Sequence, residues 1–173
     1  MKKLISVCLA VMLCFTLCSC DFMQDVVDFA SNMENAQSKT FEFDGLSIEL
    51  TTSFLRMDFI SEEYDFVVGD GTVTVMGMKM LNADTDLGDL TVKGFAENFR
   101  SLMEDSDPTE ITEIDGIPTM NYTAPSDDGD QTIAVMFYKG SDCFWAVCFG
   151  CYADIFTDTY GDICKYAKTV ECD

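Results

Sequence analysis

The chain has 173 residues, room for one domain and a targeting segment but too few for a comfortable second domain. Ten Lys and Arg stand against 31 Asp and Glu, a formal charge of −21. That balance argues against nucleic acid as a partner, which needs clustered Lys and Arg, and against a domain lying on an anionic bilayer. There is no His, so Ser-His and Cys-His triads, His-ligated metals and the commonest general base are all excluded. With 48% hydrophobic residues and only 3 Pro, a packed core is expected rather than global disorder.

Lys2 and Lys3 make a short basic segment, and Leu4 to Leu17 is apolar except for Ser6 and Thr16. A run of about fourteen residues suits the hydrophobic region of a signal peptide and is short for a membrane span. It ends in Leu17-Cys18-Ser19-Cys20. This resembles the lipobox of bacterial lipoproteins, in which a branched apolar residue and two small residues precede an obligatory cysteine. Cys18 stands where Ala, Ser or Thr is commoner. The resemblance implies that Cys20 receives a diacylglyceryl group and that residues 1–19 are removed as a signal peptide. Cys20 then becomes the lipidated first residue on the outer face of a bacterial membrane. The alternative is an ordinary secretory signal with a coincidental cysteine. Two acyl chains anchor stably where one is marginal, at about 0.8 kcal/mol per buried methylene. Residues 1–19 hold two lysines and no acid, so the remainder carries 31 acids against 8 bases, a net charge of −23. Anionic lipids and wall polymers repel such a domain, and the charge reads as a solubilising surface before a cation-binding one.

Residues 20–40 read as a tether. Phe22, Val26, Phe29, Ala30 and Met33 recur at helical spacing, which allows a short amphipathic helix, and polar residues from Ser31 to Lys39 follow. A single domain is expected over residues 41–173. Phe41, Phe43, Ile48 and Leu50 alternate across a turn at Asp44-Gly45. Tyr64 to Val68 predicts a short strand, Gly69-Asp70-Gly71 a turn, and Thr72 to Leu81 a strand alternating on two faces. Asp89 is a suitable N-cap for a helix from Leu90 to about Glu104. Its apolar stripe is Val92, Phe95, Ala96, Phe99, Leu102 and Met103, and Gly94 weakens it by about 1 kcal/mol.

Strands are then expected over Glu113 to Thr123, Thr132 to Tyr138 and Cys143 to Gly150, the last two joined by Lys139-Gly140-Ser141-Asp142. Both of these are apolar at almost every position, as central strands covered on both faces are. A closing helix from about Ala153 to Ala167 turns Ile155, Phe156, Tyr160, Ile163, Tyr166 and Ala167 inward, and Thr169 to Glu171 adds a short strand. The order β-β-β-α-β-β-β-α predicts an α+β domain: one mainly antiparallel sheet with helices packed on it.

Four stretches carry a resemblance at the level of the fold. They are Phe41-Glu42-Phe43-Asp44-Gly45-Leu46-Ser47-Ile48-Glu49-Leu50, the helix after the first strands, Ile114-Asp115-Gly116-Ile117-Pro118, and Phe144-Trp145-Ala146-Val147 before the closing helix. Over Phe41 to Glu171 the domain resembles the PsbP-like family. This α-β-α sandwich occurs in an extrinsic photosystem II subunit, a Ran-binding nuclear transport factor and many small bacterial lipoproteins. The family implies binding or assembly work in preference to catalysis, and none of its binding residues maps onto this sequence.

Several constellations bear on chemistry. Five of the 9 cysteines lie beyond position 20: Cys143, Cys148, Cys151, Cys164 and Cys172. Cys148 and Cys151 have CxxC spacing. With Cys164 and Cys172 they match the ligand number of a zinc site, though the intervening spacings fit no common zinc module. Cys151, just before the closing helix, is where a helix dipole would activate a redox thiol. Free core thiols, one or two disulfides, metal and redox chemistry all remain open, and an odd count leaves at least one thiol outside any intramolecular pairing.

Asn82, Asp84, Asp86 and Asp89 share one loop, and Asp127, Asp128 and Asp130 another, the oxygen-rich composition that calcium takes. The first loop fails the EF-hand template, with Leu87 in place of the glycine and Lys93 in place of the bidentate glutamate, so solvated loops are expected. Carboxylate pairs for glycoside hydrolysis are not singled out among 31 acids. There is no Ser-x-x-Lys and no phosphate-cradling glycine loop. Phe144, Trp145 and Phe149 are expected in the core, with Tyr138 or Trp145 as candidates to line a ligand groove. Met76, Met78 and Met80 share one strand face, as core or as a soft interaction surface.

The expectation is a lipid-anchored, non-catalytic binding or assembly module of a bacterial envelope, using no cofactor and no metal and partnered by an envelope protein. The alternative is a thiol redox enzyme using Cys148 and Cys151, or a metal-dependent hydrolase. A two-lobed solute receptor is disfavoured by length.

Overall fold

The computed structural model describes residues 37–57, 64–82, 90–103, 106–126 and 128–173. The signal peptide, Cys20 and the amphipathic stretch of the tether lie outside these residues. Ten strands and two helices are described: β1 (Ser38–Phe43), β2 (Leu46–Thr51), β3 (Leu55–Arg56), β4 (Phe66–Gly69), β5 (Thr74–Leu81), α1 (Val92–Ser101), β6 (Thr112–Ile114), β7 (Ile117–Ala124), β8 (Gln131–Lys139), β9 (Cys143–Tyr152), α2 (Phe156–Ala167) and β10 (Glu171–Cys172).

Seven strands form one antiparallel sheet in the order β3-β4-β5-β9-β8-β7-β6. A second sheet, β1-β2-β10, is also antiparallel. The centre of the large sheet is β8 and β9, paired from Gln131↔Tyr152 to Lys139↔Phe144. Their continuous apolar runs have the expected cause, since β9 is buried from Cys143 to Cys151. Successive side chains of a strand point to opposite faces, and β9 divides accordingly. Phe144, Ala146 and Cys148 join Phe95, Ala96 and Phe99 of α1. Cys143, Trp145, Val147, Phe149 and Cys151 join Ile163 and Ala167 of α2, with Ile48 and Leu50 of β2. Helix α1 therefore covers one face, and α2 with the small sheet covers the other. The expected α+β architecture, an antiparallel sheet between helices, is the one observed.

One difference is topological: β1 and β2 pair with β10 in a sheet of their own and not in the one sheet expected. The others are local. Strand β1 begins at Ser38, so residues 38–40 are sheet and not tether. The segment Glu113 to Thr123 is not one strand: Asp115 (φ 51°) and Gly116 (φ 84°) make a two-residue turn that folds it into the β6–β7 hairpin. The turn between β4 and β5 is set by Asp70, whose Oδ1 accepts from the N–H of Thr72 and of Val73, both at 2.9 Å. Strand β5 consequently starts at Thr74. Helix α1 begins at Val92, not Leu90, because Thr91 supplies the cap: its Oγ1 accepts from the Gly94 N–H at 3.1 Å. Asp89 lies outside the described residues. Leu102, expected on the inner stripe, is the C-cap and 45% exposed. Strand β9 runs on through Tyr152, so α2 starts at Phe156 rather than Ala153.

Candidate functional site

At one end of the sandwich four elements leave a groove of about 490 Å³. Thr91, Val92 and Lys93 at the start of α1 form one side. The β6–β7 hairpin supplies Glu113 and Gly116 to Pro118, the end of β8 supplies Phe137 to Lys139, and the C-terminal segment supplies Val170 and Cys172. Each wall has a local cause. The Asp115-Gly116 turn ends the hairpin here, and the Lys168–Asp115 ion pair at 2.5 Å ties it to the end of α2. The Tyr138 hydroxyl donates to the Ala167 carbonyl at 2.9 Å, so β8 holds the last turn of α2. Lys139 Nζ donates to the Leu90 carbonyl at 3.0 Å and lies 5.0 Å from the centre of the Phe144 ring, fixing the chain just before α1. Burial pushes the Tyr138 hydroxyl well above its ordinary pKa, so it stays protonated as a donor.

The groove thus combines two lysines, one carboxylate, the aromatic residues Phe137 and Tyr138, and the apolar Ile117-Pro118 of the hairpin. It offers contacts for recognition. Of the two aromatics proposed for a ligand groove, Tyr138 lines it, whereas Trp145 is fully buried. Phe144 and Phe149 are core, as are Met76 and Met78, with Met80 packed at the margin. Nothing in the sequence marks Lys93, Lys139 and Thr91 as a site. They meet only through the tertiary fold, and the one local signal is the Asp115-Gly116-Ile117-Pro118 turn.

The cysteine chemistry expected as an alternative is overturned by strand parity. Cys148 and Cys151 are three residues apart on one strand and so project to opposite faces, Cys148 towards α1 and Cys151 towards α2. They cannot join each other, and Cys148 cannot share a metal with Cys164 and Cys172, which lie on the α2 side with Cys151, so the four cysteines cannot form one site. Cys151 is in β9 and not at a helix N-terminus. Burial pushes the Cys148 thiol up to about 12 and that of Cys151 up to about 11, the nearby Asp154 carboxylate adding to the latter. These thiols are poor nucleophiles near neutral pH. All five described cysteines are unbridged. Among the described residues no three acidic or thiol groups converge in a metal-binding cluster. Of the acidic loops, Asn82, Asp128 and Asp130 are described; Asp84, Asp86, Asp89 and Asp127 lie outside.

An antiparallel sheet with α1 on one face and α2 on the other is the PsbP-like arrangement. The solution structure of cyanobacterial PsbP (CyanoP) from Synechocystis sp. PCC 6803 matches with a TM-score of 0.53 and 13% identity, over 91% of this chain and 99% of that one. A crystal structure from Bacteroides thetaiotaomicron VPI-5482 matches at 0.55 with 10% identity over 79% of this chain, which spans about half (49%) of its length. A looser likeness, TM-score 0.44 at 7% identity over 83% of this chain and 94% of the other, is to LpqN of Mycobacterium tuberculosis, described as involved in cell envelope biogenesis. No protein-family model matches the sequence. No curated protein matches it either.

Proposed function

We propose that the protein is a lipid-anchored, non-catalytic binding or assembly module on the extracytoplasmic face of a bacterial envelope. The observation that carries the binding half of this reading is the groove between α1, the β6–β7 hairpin and the C-terminal strand, where charged and aromatic contacts meet. The Cys148 and Cys151 thiols are held protonated by burial, which favours binding over chemistry at the CxxC pair. The anchoring half rests on Leu17-Cys18-Ser19-Cys20. The mechanism is confinement: the 17 residues between Cys20 and Ser38 reach at most about 60 Å when extended, so the groove samples a thin layer above the bilayer and meets partners there at raised local concentration. The partner envisaged is another envelope protein.

Two measurements test this. Cells expressing Cys20→Ala should yield unacylated protein that leaves the membrane fraction; undiminished acylation refutes the anchor. A photo-crosslinking side chain at Lys93, on the groove, should capture one dominant envelope protein that the same group at Leu55, on the far edge of the sheet, does not. Equal capture at both positions, or none at Lys93, refutes the groove as the binding surface.

A further inference from the structure

Cys143 opens β9 and Cys172 lies in β10, in different sheets. Cys143 is buried on the α2 face with Trp145 and Val147. Cys172 is paired in register with Leu46, itself buried in that same cluster. Antiparallel partners project to one side of a sheet, and Cys172 packs on the cluster from there. The backbone beside Cys172 is pinned to the turn before Cys143: the Asp173 carbonyl accepts from the Ser141 N–H at 2.8 Å, and the Asp173 N–H donates to the Gly45 carbonyl at 3.1 Å. At Gly140 a Cβ would stand 2.5 Å from the Asp173 carbonyl oxygen and 2.9 Å from Cys143 Sγ. Only glycine lets the terminal strand and this thiol close over the same turn. Ionisation of Cys143 is felt at Cys172, raising its pKa further after burial. Cys172 is partly exposed and lines the groove, whereas Cys143 is buried.

We propose that Cys143 and Cys172 form a redox pair that closes to a disulfide, fixing the C-terminal strand, and with it one wall of the groove, to the β8–β9 turn. The oxidant is an external disulfide, on an extracytoplasmic oxidoreductase or a small molecule. Cys172 Sγ, deprotonated, displaces one sulfur of that disulfide and forms a mixed disulfide while the first thiolate leaves. Cys143 Sγ then attacks Cys172 Sγ and expels the second thiolate. Two S–H bonds and one S–S bond are lost, two S–H bonds and one S–S bond form, and the two protons end on the released thiols. Cys148 takes no part because it faces α1. This pairing goes beyond the binding function and does not depend on it.

The test uses the full-length chain under native conditions with oxidised glutathione, followed by alkylation, unreduced digestion and mass spectrometry. The expected product links the Cys143 and Cys172 peptides. Closing this loop should raise the unfolding temperature by about 10 °C, reversibly with dithiothreitol. Cys143→Ala should stop at the glutathione adduct on Cys172, and Cys172→Ser should stay reduced at Cys143. A native chain that links Cys172 to Cys164, or keeps both thiols reduced or glutathionylated after prolonged exposure, overturns the proposal. The linkage is read in the unsubstituted chain, so a variant that fails to fold leaves the test intact.

Discussion

Gly77→Ala should be one of the most damaging single-methyl additions in the large sheet. Gly77 sits in β5 directly opposite Phe66 of β4. A Cβ there would lie 2.6 Å from both Cδ1 and Cζ of the Phe66 ring, and closer still to Cε1. The ring cannot simply swing away, because its other face is stacked on Phe43 at 3.7 Å between centroids and 7° between planes, with Trp145 at 6.1 Å. Overpacking in such a site costs about 1–3 kcal/mol, and losing the stack about 0.5–1.5 kcal/mol more. A total of about 2–4 kcal/mol at a urea slope of about 2 kcal/mol per M lowers the midpoint by about 1–2 M. Urea unfolding of the unsubstituted chain, Gly77→Ala, Phe66→Val and the double variant measures the coupling. Valine lacks every ring atom that the new methyl would meet, so in that background Gly77→Ala should be near neutral. It could even stabilise, since glycine inside a strand gives up about 0.5–1 kcal/mol to alanine. An equal loss in both backgrounds refutes the steric account.

Thr91→Ala should remove the α1 cap and about 1 kcal/mol, lowering the unfolding temperature by roughly 2–4 °C, whereas Thr91→Ser should retain most of it. Tyr138→Phe removes the bond to the Ala167 carbonyl, with a loss of about 1 kcal/mol and faster amide exchange in β10 and the end of α2. The Cys148 thiol is raised by burial from about 9 to about 12 in the folded chain. The unfolded thiol therefore ionises first, so its contribution to stability is complete below pH 9 and is lost as the pH rises towards 12. Urea midpoints across that range should fall less steeply in Cys148→Ala, and an unchanged slope would show that Cys148 is not the titrating group. Cys172 is likewise raised to about 12, so oxidation by glutathione should quicken about tenfold per pH unit between pH 7 and 9.

The sequence reveals the fold where the pattern is dictated by burial. Strands β8 and β9 read as central because both of their faces are apolar, and Phe95, Ala96 and Phe99 read as one helix face because they pack on one side. It misleads where a local hydrogen bond sets a boundary. Asp89 reads as the cap of α1, whereas Thr91 is the residue whose Oγ1 accepts from the Gly94 N–H and sets the helix start at Val92. Glu113 to Thr123 reads as one strand, but the positive φ angles of Asp115 and Gly116 fold it into the β6–β7 hairpin. The CxxC spacing looked like chemistry until the element under it was a strand: on a helix the two thiols share a side, on a strand they cannot. The groove was legible only as Tyr138. Its lysines belong to segments far apart in sequence, and no local pattern brings Lys93 to Lys139.

The same parity that disarms the thiols directs function to the ends of the sheet. Side chains of β9 are committed to packing on one face or the other, so recognition groups must come from where strands stop. The groove is built there from unequal parts. Its α1 side is secured by the Thr91 cap and the Lys139 bond to Leu90. The opposite wall is β10, only two residues long, and the β6–β7 hairpin, whose three paired positions end the sheet. The Lys168–Asp115 pair is surface-exposed and adds little. A partner that enters the groove therefore meets one wall held by a helix and one built from short elements. The second wall carries Cys172, so occupancy and oxidation act on the same short strand. Amide exchange at Glu171, Cys172 and Asp173 should slow when the groove is filled, and should slow when Cys143 and Cys172 are joined. Slowing under one condition alone would show that strand and groove are not one mechanical unit.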